Sequence, residues 1–495
     1  MNILCNPKSI SDYRLFLRIK SLPQYRFRGR TAIVPDEYAA LLDRSSAPVA
    51  EIPYEPSSFL FDYQRDIARM ALQKRKFAVF ADCGLGKTLI YGEFVRHVHQ
   101  VLPKDRAILF VSPLMVVEQT IAEFARWYGD SLPIEQIHAS DLADWLKSGG
   151  RYGITNFEAM RDGLEPGRLG ALVVDESSML KSHYGKWGRI ILHLGAGLEW
   201  KMAGTGTPAP NDRIEYANHA VLLDAFPNVN AFLARYFVNK GQTSERWVLK
   251  PHALRPFYRS LSHWCMFLTN PATYGWRDHS TDIPPIHVHI DHVPMTQPQR
   301  DAVQDLTGQL MATHAGGIGT RSKLGQIAKG NYRGKAIATR KPEFIRKLIE
   351  SWPTESTIVW CLYNAEQAMM AKALPDAANI SGDTPFDKRQ HLIRQFKAGE
   401  KRVLITKPRI LGFGLNLQVA TRQVFSGLQD SYEQYYQAVK RSNRVGSTRP
   451  LNVHIPVTDA EKPMIETVLA KANRVHADTL EQERIFHDHA FVTVR

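Results

Sequence analysis

The sequence predicts an α/β protein of two lobes, each a parallel sheet flanked by helices, with a helical insertion and a small N-terminal domain. Short apolar, β-branched runs alternate with helical periods, and these runs fall into two sets separated by about 150 residues of different character. The first set is Phe77–Ala81, Ala107–Val111, Ala171–Val174 and Lys201–Ala203; the second is Thr357–Cys361, Arg402–Thr406, Arg422–Phe425 and Leu451–Ile455. Apolar runs of this length between helices suit strands covered on both faces.

The elements follow in order. Residues 1–55 form the small domain, where Tyr25-Arg-Phe-Arg-Gly-Arg-Thr-Ala-Ile-Val alternates around Gly29 and predicts a β-hairpin. Residues 56–285 form the first lobe, with a helical insertion at about 213–280 that is rich in aromatics and helix formers. Pro284-Pro285 reads as a stiff linker closing that lobe. Residues 286–495 form the second lobe and a C-terminal helical tail.

The 495 residues carry a formal net charge of +14, which points to a polyanionic partner, nucleic acid before membrane. Hydrophobic content of 44% with 23% charged excludes a disordered or fibrous chain. Ala107–Val117, the longest apolar run, is broken by Ser112 and Pro113 and is too short to span a bilayer. The N-terminus has no basic stretch followed by an apolar one, so no secretion signal is read. Cys5, Cys83, Cys265 and Cys361 lie far apart and read as free thiols of a reducing, cytoplasmic compartment. From Ile286 onward 29 basic residues face 20 acidic ones, densest from Arg321 to Lys347. That stretch is either a solvated helical face or a phosphate-contacting surface.

Phe77–Ala81 leads into Asp82-Cys83-Gly84-Leu85-Gly86-Lys87-Thr88 and then a helical period, the strand–loop–helix context of a phosphate-binding loop. Gly84 and Gly86 let backbone N–H groups turn toward phosphate oxygens at the helix N-terminus. Lys87 would bridge the outer phosphates of ATP and the Thr88 hydroxyl would ligate Mg²⁺. Ala81 stands where the strict pattern has Gly. Farther on, Ala171-Leu-Val-Val ends in Asp175-Glu176, at the strand end where ligands bind in open α/β sheets. Asp175 suits Mg²⁺ and Glu176 suits activation of the attacking water.

These residues resemble a superfamily-two helicase core of the Swi/Snf type. Tyr63-Gln64-Arg65 stands at the spacing of that family's adenine-sensing Gln, and Asp82–Thr88 resembles its motif I. Val111-Ser112-Pro113-Leu-Met-Val-Val resembles motif Ia, Asp175-Glu176 motif II and Gly204-Thr205-Gly-Thr207-Pro motif III. Gly412-Phe-Gly414-Leu-Asn416-Leu resembles motif V, and Gln437-Ala-Val-Lys-Arg441-Ser-Asn-Arg444 motif VI. The resemblance implies two RecA-like lobes that clamp ATP and move along a nucleic-acid backbone. Motif II departs from the pattern, with Ser177-Ser178 in place of Ala-His, so the His that couples it to motif III is missing. Leu411 also replaces a common Gly. The compact form is similar to Swi/Snf-type helicases encoded by tailed bacteriophages, which implies the host cytoplasm.

On this reading ATP·Mg²⁺ is held by Gln64, Gly84, Leu85, Gly86, Lys87, Thr88, Asp175 and Glu176, with Gly414, Gln437, Arg441 and Arg444 from the second lobe. Arg441 and Arg444, three apart, would share a helix face as arginine fingers. Thr205 and Thr207 would relay nucleotide state, with Ser112, Pro113 and Asn416 near a strand-binding face. His287, His289 and His292 read as a strand rather than a metal site, and Trp247, Trp264 and Trp276 as core packing rather than base stacking. Arg26, Arg28 and Arg30 suit either a charged sheet edge or a DNA-contact hairpin. The expected function is ATP-dependent movement along DNA; an RNA helicase, or a DNA-binding scaffold with a degenerate ATPase fold, are the alternatives.

Overall fold

A computed structural model describes residues 1–6, 9–44, 53–182, 185–241, 246–277, 283–313, 318–411, 415–427, 432–444 and 446–490. The chain divides into two compact units, Met1–Asp278 with Ala477–Arg495, and His279–His476.

The first unit begins with an antiparallel sheet in the order β1-β3-β2, made of β1 (Asn2–Leu4), β2 (Arg26–Arg28) and β3 (Thr31–Ile33). β2 and β3 are the hairpin expected around Gly29, whose φ of +59° makes the turn. The helix Ile10–Lys20 is N-capped by Ser9, whose Oγ accepts from Asp12 N at 3.3 Å. It buries Ile19 with Ile3, Ala32 and Val34 in a small core of its own.

The main sheet of this unit contains β4 (Lys76–Ala81), β5 (Ala107–Ser112), β6 (Glu135–Gln136), β7 (Tyr152–Asn156), β8 (Leu169–Asp175) and β9 (Trp200–Gly204). A separate ribbon pairs β10 (Phe237–Asn239) with β11 (Trp247–Leu249), and β12 (Cys265–Leu268) then joins the main sheet. The order is β12-β4-β9-β8-β5-β7-β6, all parallel. Strand alternation sends Phe77 and Val79 into one core and Ala78 and Phe80 into the other, so both faces are covered.

The stretch 213–280 contains the helices Ala217–Leu222, Val229–Tyr236 and Leu254–Trp264, but also the ribbon and β12, which pairs in parallel with β4. Its Phe257, Leu261 and Trp264 are buried against the sheet, so it is a covering layer of the lobe rather than an insertion beside it. Trp276 donates its indole N–H to Asp66 Oδ2 at 2.7 Å. The sequence also assigned the C-terminal tail to the second lobe, whereas Ala477–Arg495 groups with the first unit. There Glu483 Oε1 accepts from the backbone N–H and the hydroxyl of Thr269 at 2.7 and 2.6 Å, and Phe486 enters the core.

The second unit is built on β13 (Ile286–His292), with a small ribbon of β14 (Asn331–Tyr332) and β15 (Lys335–Ala336). Its sheet continues with β16 (Thr357–Trp360), β17 (Ala378–Asn379), β18 (Val403–Thr406), β19 (Arg422–Phe425) and β20 (Leu451–Val457). The order is β13-β20-β19-β16-β18-β17, again all parallel, over a core of Ile345, Val359, Ile405 and Val424. Both sheets, flanked by helices, are RecA-like lobes. On β13, His289 stacks on His454 at 4.4 Å, and His292 lies 3.4 Å from Asp459. The four cysteines are free thiols, and no described helix is long and apolar enough to cross a membrane.

The dense basic stretch is not one surface. Lys329 and Lys341 are buried and grip the two oxygens of Glu461 at 2.8 and 2.6 Å. Burial opposes ionisation of Glu461, yet the two ammonium charges hold its carboxyl down to about 2. Burial likewise pulls Lys341 down to about 8. Removing the shared acid strands two buried cations, so Glu461→Gln should destabilise this lobe by about 3–5 kcal/mol. Denaturant unfolding of the full chain measures it, and an unchanged transition would contradict the structural role.

Candidate active site

Four neighbouring strands of the first sheet, β4, β9, β8 and β5, end at one edge, and the motif residues of this lobe meet there. β4 turns through Asp82–Gly86 into the helix Lys87–Val101. Gly84 and Gly86 have φ of +92° and +66°, a region open to glycine. A Cβ on Gly86 would sit 2.3 Å from Gln64 Nε2, so the missing side chain also makes room for Gln64. Gln64 is buried with its Oε1 accepting from Phe61 N at 3.0 Å, while Tyr63 donates its hydroxyl to Leu85 O at 3.0 Å. The Lys87 ammonium donates to Ala81 O at 2.8 Å and Asp82 O at 3.2 Å, which folds it into the curve of the loop. Ala in place of Gly at position 81 is the buried end of β4 and leaves the turn to Gly84 and Gly86.

The acidic pair closes β8. Asp175 lies opposite Gly204 in register, and its Oδ2 accepts from Ser112 Oγ at 3.2 Å. Burial, then the charge of Glu176, raises the Asp175 carboxyl to about 6. Glu176 is buried in the left-handed region at φ +46°, a strained conformation held by its surroundings. Its Oε2 accepts from Thr205 Oγ1 at 3.0 Å, and Thr205 Oγ1 accepts from Thr207 N at 3.2 Å. Gly204 is small for a reason: a Cβ there would lie 2.0 Å from Tyr91 Oη and 2.9 Å from Val79 O.

Ser112, expected near a strand-binding face, is instead fully buried, and its hydroxyl serves Asp175. Pro113 follows it at the start of a short 3₁₀ turn. The link between motifs II and III that Ser177-Ser178 had put in doubt exists by other means. Glu176 reaches Thr205 directly; outside motif III, Ser177 Oγ lies 2.9 Å from Nε2 of buried His219. Burial lowers the His219 imidazole to about 4, so it is neutral at physiological pH. His219 was missed because a lone histidine in Tyr216-Ala-Asn-His-Ala-Val carries no signal beyond its helix. Thr88 is the second residue of the loop's helix, beside Lys87.

In the second lobe, Gly414 lies outside the described residues. The motif V and motif VI segments meet: Leu417 N donates to Arg441 O at 2.9 Å, and Asn416 bonds Gln418 through both its amide groups. Gln437 is buried on the helix Tyr432–Val439, and its carbonyl accepts from Arg441 Nε at 2.9 Å. The helix ends at Val439, so Arg441 and Arg444 lie in the turns beyond it rather than on one helical face. Arg441 is buried and Arg444 half-buried. Buried Gln423 of β19 anchors the segment, donating to Ala438 O at 3.1 Å and Ser442 Oγ at 2.8 Å. Its only signal in the sequence was a polar residue in an apolar strand.

Two family models match the chain: the res subunit of type III restriction enzymes over residues 58–207 and the helicase conserved C-terminal domain over residues 340–446. Among curated proteins it is 24% identical over 433 residues to the DNA annealing helicase and endonuclease ZRANB3 of Bos taurus, covering 81% of this chain and 39% of that protein. It is 22% identical over 426 residues to the ATP-dependent DNA helicase DDM1 of Arabidopsis thaliana, covering 75% and 55%. The chain therefore spans about half or less of these relatives' lengths. Among solved structures, the Sulfolobus solfataricus SWI2/SNF2 ATPase core in complex with dsDNA is similar at a TM-score of 0.40 and 18% identity, over 87% of this chain and 96% of that one. Two helicase-family models in order along two parallel sheets, with the first lobe's motif residues gathered at its strand ends, make this chain a member of the superfamily-two helicases.

Proposed function

We propose that this chain is a Swi/Snf-type motor that couples ATP hydrolysis to movement along DNA, remodelling or unwinding it. The observation that supports this best is the bonded line Ser112–Asp175 and Glu176–Thr205–Thr207, at strand ends beside the Lys87 loop. The residues fit the nucleotide: the glycine turn and Lys87 suit phosphates, and the Thr88 hydroxyl with the Asp175 carboxylate is a hard oxygen donor set for Mg²⁺. When bound, Mg²⁺ neutralises charge on the transferring phosphoryl group. Lys87 steadies the outer phosphates, Gln64 reads the base, and Glu176 orients and deprotonates the attacking water. Thr205 and Thr207 pass the state of Glu176 onward. Gly414, Gln437, Arg441 and Arg444 are assigned to the second lobe's share of nucleotide recognition, the arginines as donors to the transferred phosphate. Ser112 holds Asp175, while Pro113 and Asn416 are assigned to the DNA side. We further assign the motor to phage DNA replication, recombination or repair in the host cytoplasm.

Phosphate release with duplex DNA, single-stranded DNA and RNA tests the reading. Stimulation by DNA well above RNA is expected, with DNA binding that weakens steeply between 50 and 200 mM salt because phosphate contacts release counterions. No stimulation by any DNA, or equal stimulation by RNA, overturns it.

The raised Asp175 carboxyl gives a pH prediction. An acid shifted up ionises late, so Mg²⁺-dependent turnover should rise as pH climbs through about 6 and then level off. Half-saturation by Mg²⁺ should be weaker at pH 5.5 than at pH 7.5, because less of the carboxyl is ionised there. The stability linkage has the opposite sign. The folded state holds this proton more tightly than the unfolded chain, so the ion-free protein loses stability as pH rises from the ordinary carboxylate value to about 6. Mg²⁺ titrations of turnover at the two pH values check the first effect.

A further inference from the structure

The N-terminal domain holds a cavity of about 270 Å³ between its helix Ile10–Lys20 and the β2–β3 hairpin. Three aromatic rings line it. Tyr13 and Phe16 lie nearly parallel at 6.4 Å, and Phe16 meets Phe27 at 5.2 Å. Its polar lining includes Asp12 and Arg30. The surface around it is unusually apolar, with Tyr13 59% exposed, Ile10 75% and Leu17 49%. An apolar patch on a charged domain marks a binding site.

Charge identifies the occupant. Three acids of this domain are engaged: Asp36 with the N-terminal amine at 2.5 Å, Glu37 with Lys74 at 2.5 Å, and Asp43 with Arg18 at 2.8 Å. Among the described residues Arg14, Arg28 and Arg30 form no ion pair, and Lys20 sits over the Phe16 ring at 5.3 Å. Planar rings interleaved with unpaired cations suit single-stranded nucleic acid, whose bases stack and whose phosphates need positive partners. Strand alternation places Phe27 toward the cavity and Arg26 and Arg28 on the other side of β2, so Arg30 is the arginine that serves the cavity. A carboxylate inside it disfavours a phosphate there and accepts from an exocyclic amino group. Asp12 is held in place, its Oδ2 accepting from Asn6 N at 2.6 Å.

We propose that this cavity takes one unstacked, amino-bearing base of single-stranded DNA. The base stacks on Tyr13 and Phe16, its amino group faces Asp12, and its phosphate is gripped by Arg30. The choice of DNA rests on the proposed function; the stacking site does not. The test uses the full chain and fluorescence anisotropy with labelled oligo-dC, oligo-dT and duplex DNA. Tyr13→Ala should weaken oligo-dC binding about 5- to 150-fold, the range for losing one base–aromatic stack. Tyr13→Phe should restore it, and Asp12→Asn should erase the preference for dC over dT. Duplex affinity, melting temperature and ATP turnover without DNA should not change in Tyr13→Ala, because Tyr13 is exposed. Wild-type dC affinity in both Tyr13→Ala and Arg30→Ala overturns the site. So does equal weakening toward duplex, or a change in oligomeric state on truncating Tyr13, which would make the patch a protein contact. Normal base binding without DNA-stimulated hydrolysis would sink the motor reading and leave this site standing.

Discussion

Glu176→Gln is expected to lower ATP turnover by about 10²–10⁴, the usual contribution of a positioned general base. The substitution is nearly isosteric, and the amide oxygen can still accept from the Thr205 hydroxyl, now at 3.0 Å from Glu176 Oε2. The left-handed backbone at Glu176 and the buried packing around it stay as they are. What disappears is basicity at the one atom that would take the water's proton. Nucleotide binding and DNA retention should therefore survive while phosphate release stops. Single-turnover phosphate release, beside binding of a fluorescent nucleotide, separates the two. Turnover near wild type in Glu176→Gln would falsify the water-activating assignment. Lys87→Ala should also abolish hydrolysis, but with weaker nucleotide affinity, because its ammonium acts on the phosphates themselves.

Arg444→Ala is expected to lower turnover by about 10³–10⁵ if its guanidinium meets the transferred phosphate. Arg444 is the cleaner of the two arginines to remove. Arg441 is buried and donates Nε to Gln437 O at 2.9 Å, so truncating it also leaves a carbonyl unmatched in a buried place. Loss of activity in Arg441→Ala would mix fold and function. Arg444→Lys should fail to rescue, since a point charge does not reproduce the planar fork. Steady-state turnover with the nucleotide affinity measured in parallel checks it; unchanged turnover in Arg444→Ala removes this residue from the catalytic assignment.

Much of the fold was legible because buried parallel strands announce themselves. Phe77–Ala81, Ala107–Val111, Ala171–Val174 and Lys201–Ala203 are continuous apolar runs, and all four are strands of the first sheet. The strands that escaped notice are short, polar or misleadingly placed. β6 has two residues, β7 reads Tyr-Gly-Ile-Thr-Asn, and β12 follows directly on a helix whose aromatics suggested helical structure throughout. The boundary near residue 477 was invisible because a single helix, Lys462–Ala490, runs through it without a break in pattern.

By itself the sequence determined the α/β class, the glycine turn at Gly84–Gly86 before its helix, the acidic pair Asp175-Glu176 at a strand end and the order of the motif segments. These are local: a glycine turn before a helix, or a carboxylate ending a strand, needs only neighbours in the chain. Tertiary structure decided what the isolated polar residues do. Ser112 serves Asp175 from 63 positions away, Thr205 reaches Glu176 across 29, and His219 meets Ser177 across 42. Lys329 and Lys341, which read as surface charge, became the buried partners of Glu461. A hydrogen bond or an ion pair in a dry interior depends on a few tenths of an ångström between elements, and chain packing sets that distance, not residue order.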